Sequence, residues 1–188
     1  MPRILVFYGT TDGHTGKVAR FVADRLRAAG AEVDVVEAQA TSAPDPGTYA
    51  GVVIAASVHV SAYQRTVQRW VAAHAASLQG KPSAFLSVCL AVLQADPRPQ
   101  RDLAAILERF LARTRWQPTL TKQVAGALLY TRYNWLKRWV MRRIARRAGG
   151  DTDTRQDYEY TDWNDLSAFA QAFYQLVAGT EARPAPGS

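Results

Sequence analysis

The stretch that most constrains this chain is Thr10-Thr11-Asp12-Gly13-His14-Thr15, together with what flanks it. Ile4-Leu5-Val6-Phe7-Tyr8 comes first, a short, β-rich apolar run of the kind found in a parallel strand buried on both faces. Val18, Phe21, Val22, Leu26 and Ala29 follow at the spacing of one apolar helix face. A polar, Gly-containing turn between strand and helix gathers N–H groups and hydroxyls at the positive end of the helix dipole. Such a turn suits a phosphate. A second reading is an ordinary strand–helix turn capped by Thr15.

The spacing narrows the phosphate. No G-x-x-x-x-G-K-[ST] is present, which argues against a nucleoside-triphosphate loop, and no G-x-G-x-x-G marks a dinucleotide site. Thr-x-Asp-Gly-x-Thr instead resembles the phosphate loop of flavodoxins, with Asp12 where that family usually carries Thr. Flavodoxins hold the FMN monophosphate with hydroxyls and backbone N–H groups, and residues 10–15 likewise contain no Lys or Arg. Asp12 disfavours a dianion unless its carboxylate turns back onto the loop backbone.

Alternation continues to the end. Glu32–Val36, Gly51–Ala56, Ala84–Val88 and Val124–Leu129 read as strands two to five. Helices are expected over Tyr63–Leu78, through Leu103, Ile106, Leu107, Phe110 and Leu111, and after an Asp162 cap through Leu166, Phe169, Phe173 and Val177. The fold class is α/β, a flavodoxin-like doubly wound parallel sheet of five strands in order 2-1-3-4-5. The domain spans 1–178, with a basic helical insert at about 130–150 and a disordered tail at 179–188. Ligands of such sheets sit beyond the carboxyl ends of the strands. This places residues 10–15 at the phosphate, Ser57, Val58, His59 and Val60 toward one face of a flavin ring, and Val88, Cys89, Leu90 and Ala91 toward the other.

With 188 residues, 48% of them hydrophobic, the chain suits one domain. Its one cysteine excludes an internal disulfide framework, and no spacing marks a metal site. The first strand begins at once, so no signal peptide is expected. No apolar run approaches the roughly 20 residues that span a bilayer.

The formal charge of +7 is concentrated. No acidic residue separates Glu108 from Asp151, while Arg109, Arg113, Arg115, Lys122, Arg132, Lys137, Arg138, Arg142, Arg143, Arg146 and Arg147 all fall there. From about Asn134 to Gly149 a helix is expected, with Leu136, Val140 and Ile144 opposite Arg138, Arg142 and Arg146. Trp135 and Trp139 lie toward the basic side. Such a helix suits an anionic membrane surface, a cleft for a substrate with several carboxylates, or a solvated helix resting on the core. No nucleic-acid module is present, so nucleic acid is not expected as a partner.

Across nearly its whole length the chain resembles the menaquinone-dependent protoporphyrinogen IX dehydrogenases. The likeness rests on Thr10-x-Asp12-Gly13-x-Thr15, Pro82-Ser83-Ala84-Phe85, Ala125-Gly126-Ala127-Leu128 and Tyr130-x-x-Tyr133-x-Trp135. It continues in Gly149-Gly150-Asp151-Thr152-Asp153-Thr154-Arg155 and Tyr160-Thr161-Asp162-Trp163. Cys89-Leu90-Ala91 departs from it, because the family tends to carry a polar residue there.

The resemblance implies FMN as cofactor, protoporphyrinogen IX as substrate and a membrane quinone as electron acceptor. It also implies a cytoplasmic protein peripheral on the inner face of the membrane. Tyr130, Arg132, Tyr133, Trp135, Lys137 and Arg138 become candidate substrate or quinone contacts, the tyrosines equally suiting packing under the insert. His14 is expected to serve through its backbone N–H, and His74 to be structural. Three alternatives remain: a flavodoxin-type electron carrier, an FMN-dependent NAD(P)H:quinone reductase, and a member without FMN.

Overall fold

In the computed structural model, residues 1–40, 43–59, 61–90, 97–132, 139, 142–143, 145–146, 151 and 153–182 are described, Pro97 and Arg132 by their backbone alone. Five parallel strands form one sheet in the order β2-β1-β3-β4-β5. They are β1 (Arg3–Gly9), β2 (Glu32–Glu37), β3 (Gly51–Ser57), β4 (Ser83–Cys89) and β5 (Leu120–Ala125). Helix α1 (His14–Ala28) links β1 to β2, and α2 (Arg65–Ala73) with α3 (Ala75–Gln79) links β3 to β4. Helix α4 (Pro97–Thr114) precedes β5, and α5 (Trp163–Glu181) ends the described chain.

The pleat of β1 divides the core. Ile4, Val6 and Tyr8 face Val18, Val22 and Leu26 of α1 and Leu166, Phe169 and Phe173 of α5. Leu5 and Phe7 face Val67, Trp70 and Val71 of α2 and Leu103, Ile106 and Phe110 of α4. Both faces of the central strands are therefore dry, which is why they read as unbroken apolar runs.

Three sequence expectations are corrected. Strand five lies at Leu120–Ala125, not Val124–Leu129. As an edge strand it leaves Thr121 and Gln123 exposed, so its first half carries no apolar run. Past Gly126, Ala127–Leu128 (β6) pairs antiparallel with Tyr158–Glu159 (β7), a two-residue ladder outside the main sheet. The helix expected over Tyr63–Leu78 breaks at His74, which ends α2 with its Nδ1 2.8 Å from the Trp70 carbonyl. Helix α5 runs on through Glu181, past the Gly179 where the tail was expected to begin. Its Asp162 cap is as expected, Oδ1 accepting from the N–H groups of Asn164 and Asp165, both at 3.0 Å.

Candidate functional site

Residues 10–15 form the turn between β1 and α1. Gly13 takes the N-cap position at φ 92°, a left-handed conformation that costs a side chain about 1–2 kcal/mol. No side chain caps this helix; Thr15, once a candidate cap, is buried inside its first turn. The Thr10 hydroxyl accepts from the Gly13 N–H at 2.9 Å and holds the turn shut. The Lys17 N–H makes the first closing bond of the helix, to the Gly13 carbonyl. The N–H groups of His14, Thr15 and Gly16 precede it and have no carbonyl one turn back. They lie at the carboxyl end of the sheet, in a turn whose residues 10–15 hold no Lys or Arg and one carboxylate, Asp12.

Close packing sets this turn against the sheet. A Cβ on Gly16 would lie 3.0 Å from Tyr8 Cε2. One on Gly9 would lie 2.5 Å from Val67 Cγ2 and 3.2 Å from Gln64 Oε1. Gln64 went unnoticed in the sequence, where nothing distinguishes it from other polar residues opening a helix. Its Nε2 donates to Ser57 Oγ at 2.6 Å and to Thr11 Oγ1 at 3.2 Å, tying the first loop to the end of β3. Its Oε1 is buried with no hydrogen-bond partner among the described residues.

The remaining loops complete a circuit around the tip. The Val58 N–H donates to the Val88 carbonyl at 3.0 Å, and the Gly126 N–H to the Cys89 carbonyl at 3.4 Å. The Tyr160 N–H donates to the Gly126 carbonyl at 3.2 Å. Thr161 Oγ1 donates to the Ala125 carbonyl at 2.7 Å and lies 2.8 Å from His14 Nε2, which returns the chain of bonds to the first loop. His59 makes a tight antiparallel bridge with Ala62, and its side chain is exposed. Cys89 and Leu90 stand half-buried at the rim, but Val88 does not: β4 runs to Cys89, and the Val88 side chain belongs to the core beneath.

His14 does more than was read from the sequence. Its imidazole is only 8% exposed, with Nδ1 3.9 Å from Glu159 Oε2. Burial lowers its pKa, opposed by Glu159 and assisted by Lys17. Glu159 bonds Lys17 at 2.5 Å and the Trp163 indole N–H at 2.8 Å. Burial pushes its pKa up, but these donors outweigh that and hold it below the usual range.

The insert rises from this rim through the β6–β7 ladder. Tyr130 sits at its base with 0% exposure, its hydroxyl donating to the Asp151 carbonyl at 2.9 Å. Its ring packs with Leu128, Ala145 and Leu90, so it is a packing residue and offers no face to a substrate. Tyr160, its pKa pushed up to about 12 by burial and by Asp151, donates to Asp151 Oδ2 at 2.6 Å. Thr131 anchors on Asp157 through both its N–H and its hydroxyl. Trp139 is 60% exposed with the Arg143 guanidinium 5.9 Å from its ring centre, and Arg142 and Arg146 are also exposed. Arg132 lies in a 3-10 turn. Val60, Ala91, Tyr133, Trp135, Lys137 and Arg138, and the apolar stripe of Leu136, Val140 and Ile144, lie outside the described residues.

The flavodoxin domain matches residues 5–155. Among solved structures, a short-chain flavodoxin associated with a bacterial microcompartment superposes with TM-score 0.61 at 16% identity, over 94% of this chain and 99% of that one. Oxidised flavodoxin 1 of Bacillus cereus gives 0.57 at 14% identity, over 92% and 97%. Protoporphyrinogen IX dehydrogenase (quinone) of Escherichia coli K12 is 35% identical over 176 residues, 93% of this chain and 96% of the relative. The protein of that name in Leishmania major is 32% identical over 97% of this chain and 79% of its own length. With a flavodoxin domain over most of its length and relatives matched nearly end to end, the chain belongs to the quinone-dependent protoporphyrinogen IX dehydrogenases of the flavodoxin-domain family.

Proposed function

We propose that this chain is an FMN-dependent oxidoreductase that converts protoporphyrinogen IX to protoporphyrin IX, a step of haem synthesis, and passes the electrons to a membrane quinone. The balance is one porphyrinogen and three quinones giving one porphyrin and three quinols, two electrons and two protons at a time. The geometric observation that carries this reading is the shared rim: the neck of the insert is hydrogen-bonded into the phosphate turn through Thr161 and His14. A basic, Trp-bearing segment thus grows from the edge of the flavin site.

The donor set fits FMN. The N–H groups of His14, Thr15 and Gly16, with the hydroxyls of Thr10 and Thr11, offer a phosphate neutral donors at a helix N-terminus. The buried Gln64 Oε1 is an acceptor awaiting a donor of the kind a ribityl hydroxyl supplies. Ser57, Val58, His59, Cys89 and Leu90 frame the place of the ring. Bound there, FMN supplies two-electron hydride chemistry, leaving the protein to bind, orient and set the electrostatics.

The exposed Arg142, Arg143 and Arg146 suit two partners. Their guanidiniums match the two propionates of a porphyrinogen. They also match an anionic leaflet, where each basic residue contributes about 1 kcal/mol and an exposed indole such as Trp139 sits at the interface. Among the described residues no helix is long and apolar enough to cross a membrane. In this reading the insert reaches the quinone by peripheral contact at the inner face of the membrane.

The test is anaerobic. FMN-loaded protein is incubated with protoporphyrinogen IX and a menaquinone analogue while porphyrin fluorescence is followed. Quinone-dependent fluorescence growth is expected; NAD(P)H-driven quinone reduction with no porphyrin formed would refute the reading.

A further inference from the structure

His14 belongs to two structures at once. Its backbone is the first residue of α1, in the turn that faces the phosphate site, and its ring points the other way into the neck of the insert. Thr161 lies 147 residues away and has one hydroxyl proton, which it donates to the Ala125 carbonyl at 2.7 Å. Toward His14 it can only accept, so the imidazole carries its proton on Nε2. That donor is present in the neutral and the protonated ring alike. Nδ1 faces Glu159 at 3.9 Å, beyond hydrogen-bond reach. Only two residues separate Thr161 from Tyr158, whose strand β7 closes the neck against β6.

We propose that the His14–Thr161 hydrogen bond is a latch coupling occupation of the phosphate turn to the placement of the insert, with His14 and Thr161 as positioning residues. A phosphate that fixes the backbone of residues 13–16 fixes the origin of the His14 side chain. The entropy of ordering that ring is then already lost when it meets Thr161. Linkage makes the coupling reciprocal: an ordered neck holds the turn in its binding shape and raises FMN affinity by the same factor. One net hydrogen bond corresponds to a factor of about two to ten. The latch rests on FMN as the ligand of this turn, and not on the identity of the substrate.

The test uses the full chain with and without FMN. The readouts are the FMN dissociation constant, and the rate of tryptic cleavage within residues 132–147, mapped by mass. FMN should slow cleavage of the wild-type insert. Thr161→Val, which keeps the volume and loses the hydroxyl, should weaken FMN about two- to tenfold and cancel the protection. Thr161→Ser should restore both, and His14→Gln, whose amide can reach as a donor, should restore them in part. A merely packing role would not discriminate Ser from Val in this way. Protection equal to wild type in Thr161→Val, failure of Thr161→Ser to recover it, or no protection by FMN in the wild type would each overturn the latch. Should Thr161→Val fail to fold, His14→Leu against His14→Gln makes the same comparison. Protein that shows the latch but no porphyrinogen turnover would refute the proposed activity and leave the latch standing.

Discussion

Gly9 ends β1 hard against α2, and Gly9→Ala puts that contact to a measurable test. The added methyl would lie 2.5 Å from Val67 Cγ2, on a β-branched side chain that is fully buried and has one favoured rotamer in a helix. It would also lie 3.2 Å from Gln64 Oε1, the residue that ties Thr11 to Ser57. Overpacking of this kind costs about 1–3 kcal/mol, and the loss of glycine's freedom in the unfolded chain returns about 0.5–1 kcal/mol. The net destabilisation is at most about 2.5 kcal/mol, a fall in Tm of up to about 10 °C for a chain this size. Val67→Ala alone removes two buried methyl groups and leaves a small cavity, costing about 2–3 kcal/mol. In the double variant the methyl introduced by Gly9→Ala occupies the space that Val67 Cγ2 gave up. Urea unfolding should therefore show the double variant at least about 1 kcal/mol more stable than the sum of the singles. FMN titration should show weaker binding in Gly9→Ala and partial recovery in the double. Additive stabilities would refute the close approach.

Lys81 Nζ donates to the carbonyls of Pro46, Gly47 and Tyr49 at 2.6, 3.1 and 2.6 Å, so Lys81→Met should cost about 2 kcal/mol by urea unfolding with little change in FMN affinity. Burial lowers the pKa of His14 below its ordinary 6.5, so the unfolded chain binds the proton more readily than the folded one. Stability contributed by this residue is therefore present above pH 6.5 and declines as pH falls below it; His14→Gln should flatten that decline in a pH series of unfolding curves. Replacing Arg142, Arg143 and Arg146 together by Ser should remove about 3 kcal/mol of attraction to vesicles rich in anionic lipid, more than a hundredfold in partition coefficient. Retained binding in a sedimentation assay would place the lipid contact elsewhere.

The parts of this protein that were readable from sequence are those whose physics is local. Residues 10–15 announce themselves because strand, turn and helix are contiguous and each has its own periodicity. The central strands are legible because burial on both faces leaves no polar interruption. Strand five was misplaced because Leu120–Ala125 has only one neighbour, and exposure at Thr121 and Gln123 breaks its apolar run. The β6–β7 ladder is too short to carry a period. Gln64 and Thr161 act through partners on other elements, Thr161 across 147 residues, and no spacing rule reaches that far. Thr161 did stand in a quoted motif, Tyr160-Thr161-Asp162-Trp163, but the motif gave it no role. Tyr130 was legible as an aromatic under the insert and equally as a substrate contact; its burial decided for the first.

The two-rung neck has an evolutionary consequence. Because β5 has already ended at Ala125 and the last helix restarts from its own Asp162 cap, whatever is strung between them lies outside the main sheet's strands. Added length in such a connection costs little, on the order of 0.6 kcal/mol per doubling. An ancestor with the same β1–α1 turn could thus acquire, enlarge or exchange an appendage at this one junction, changing what docks beside that turn while the turn itself stays as it was.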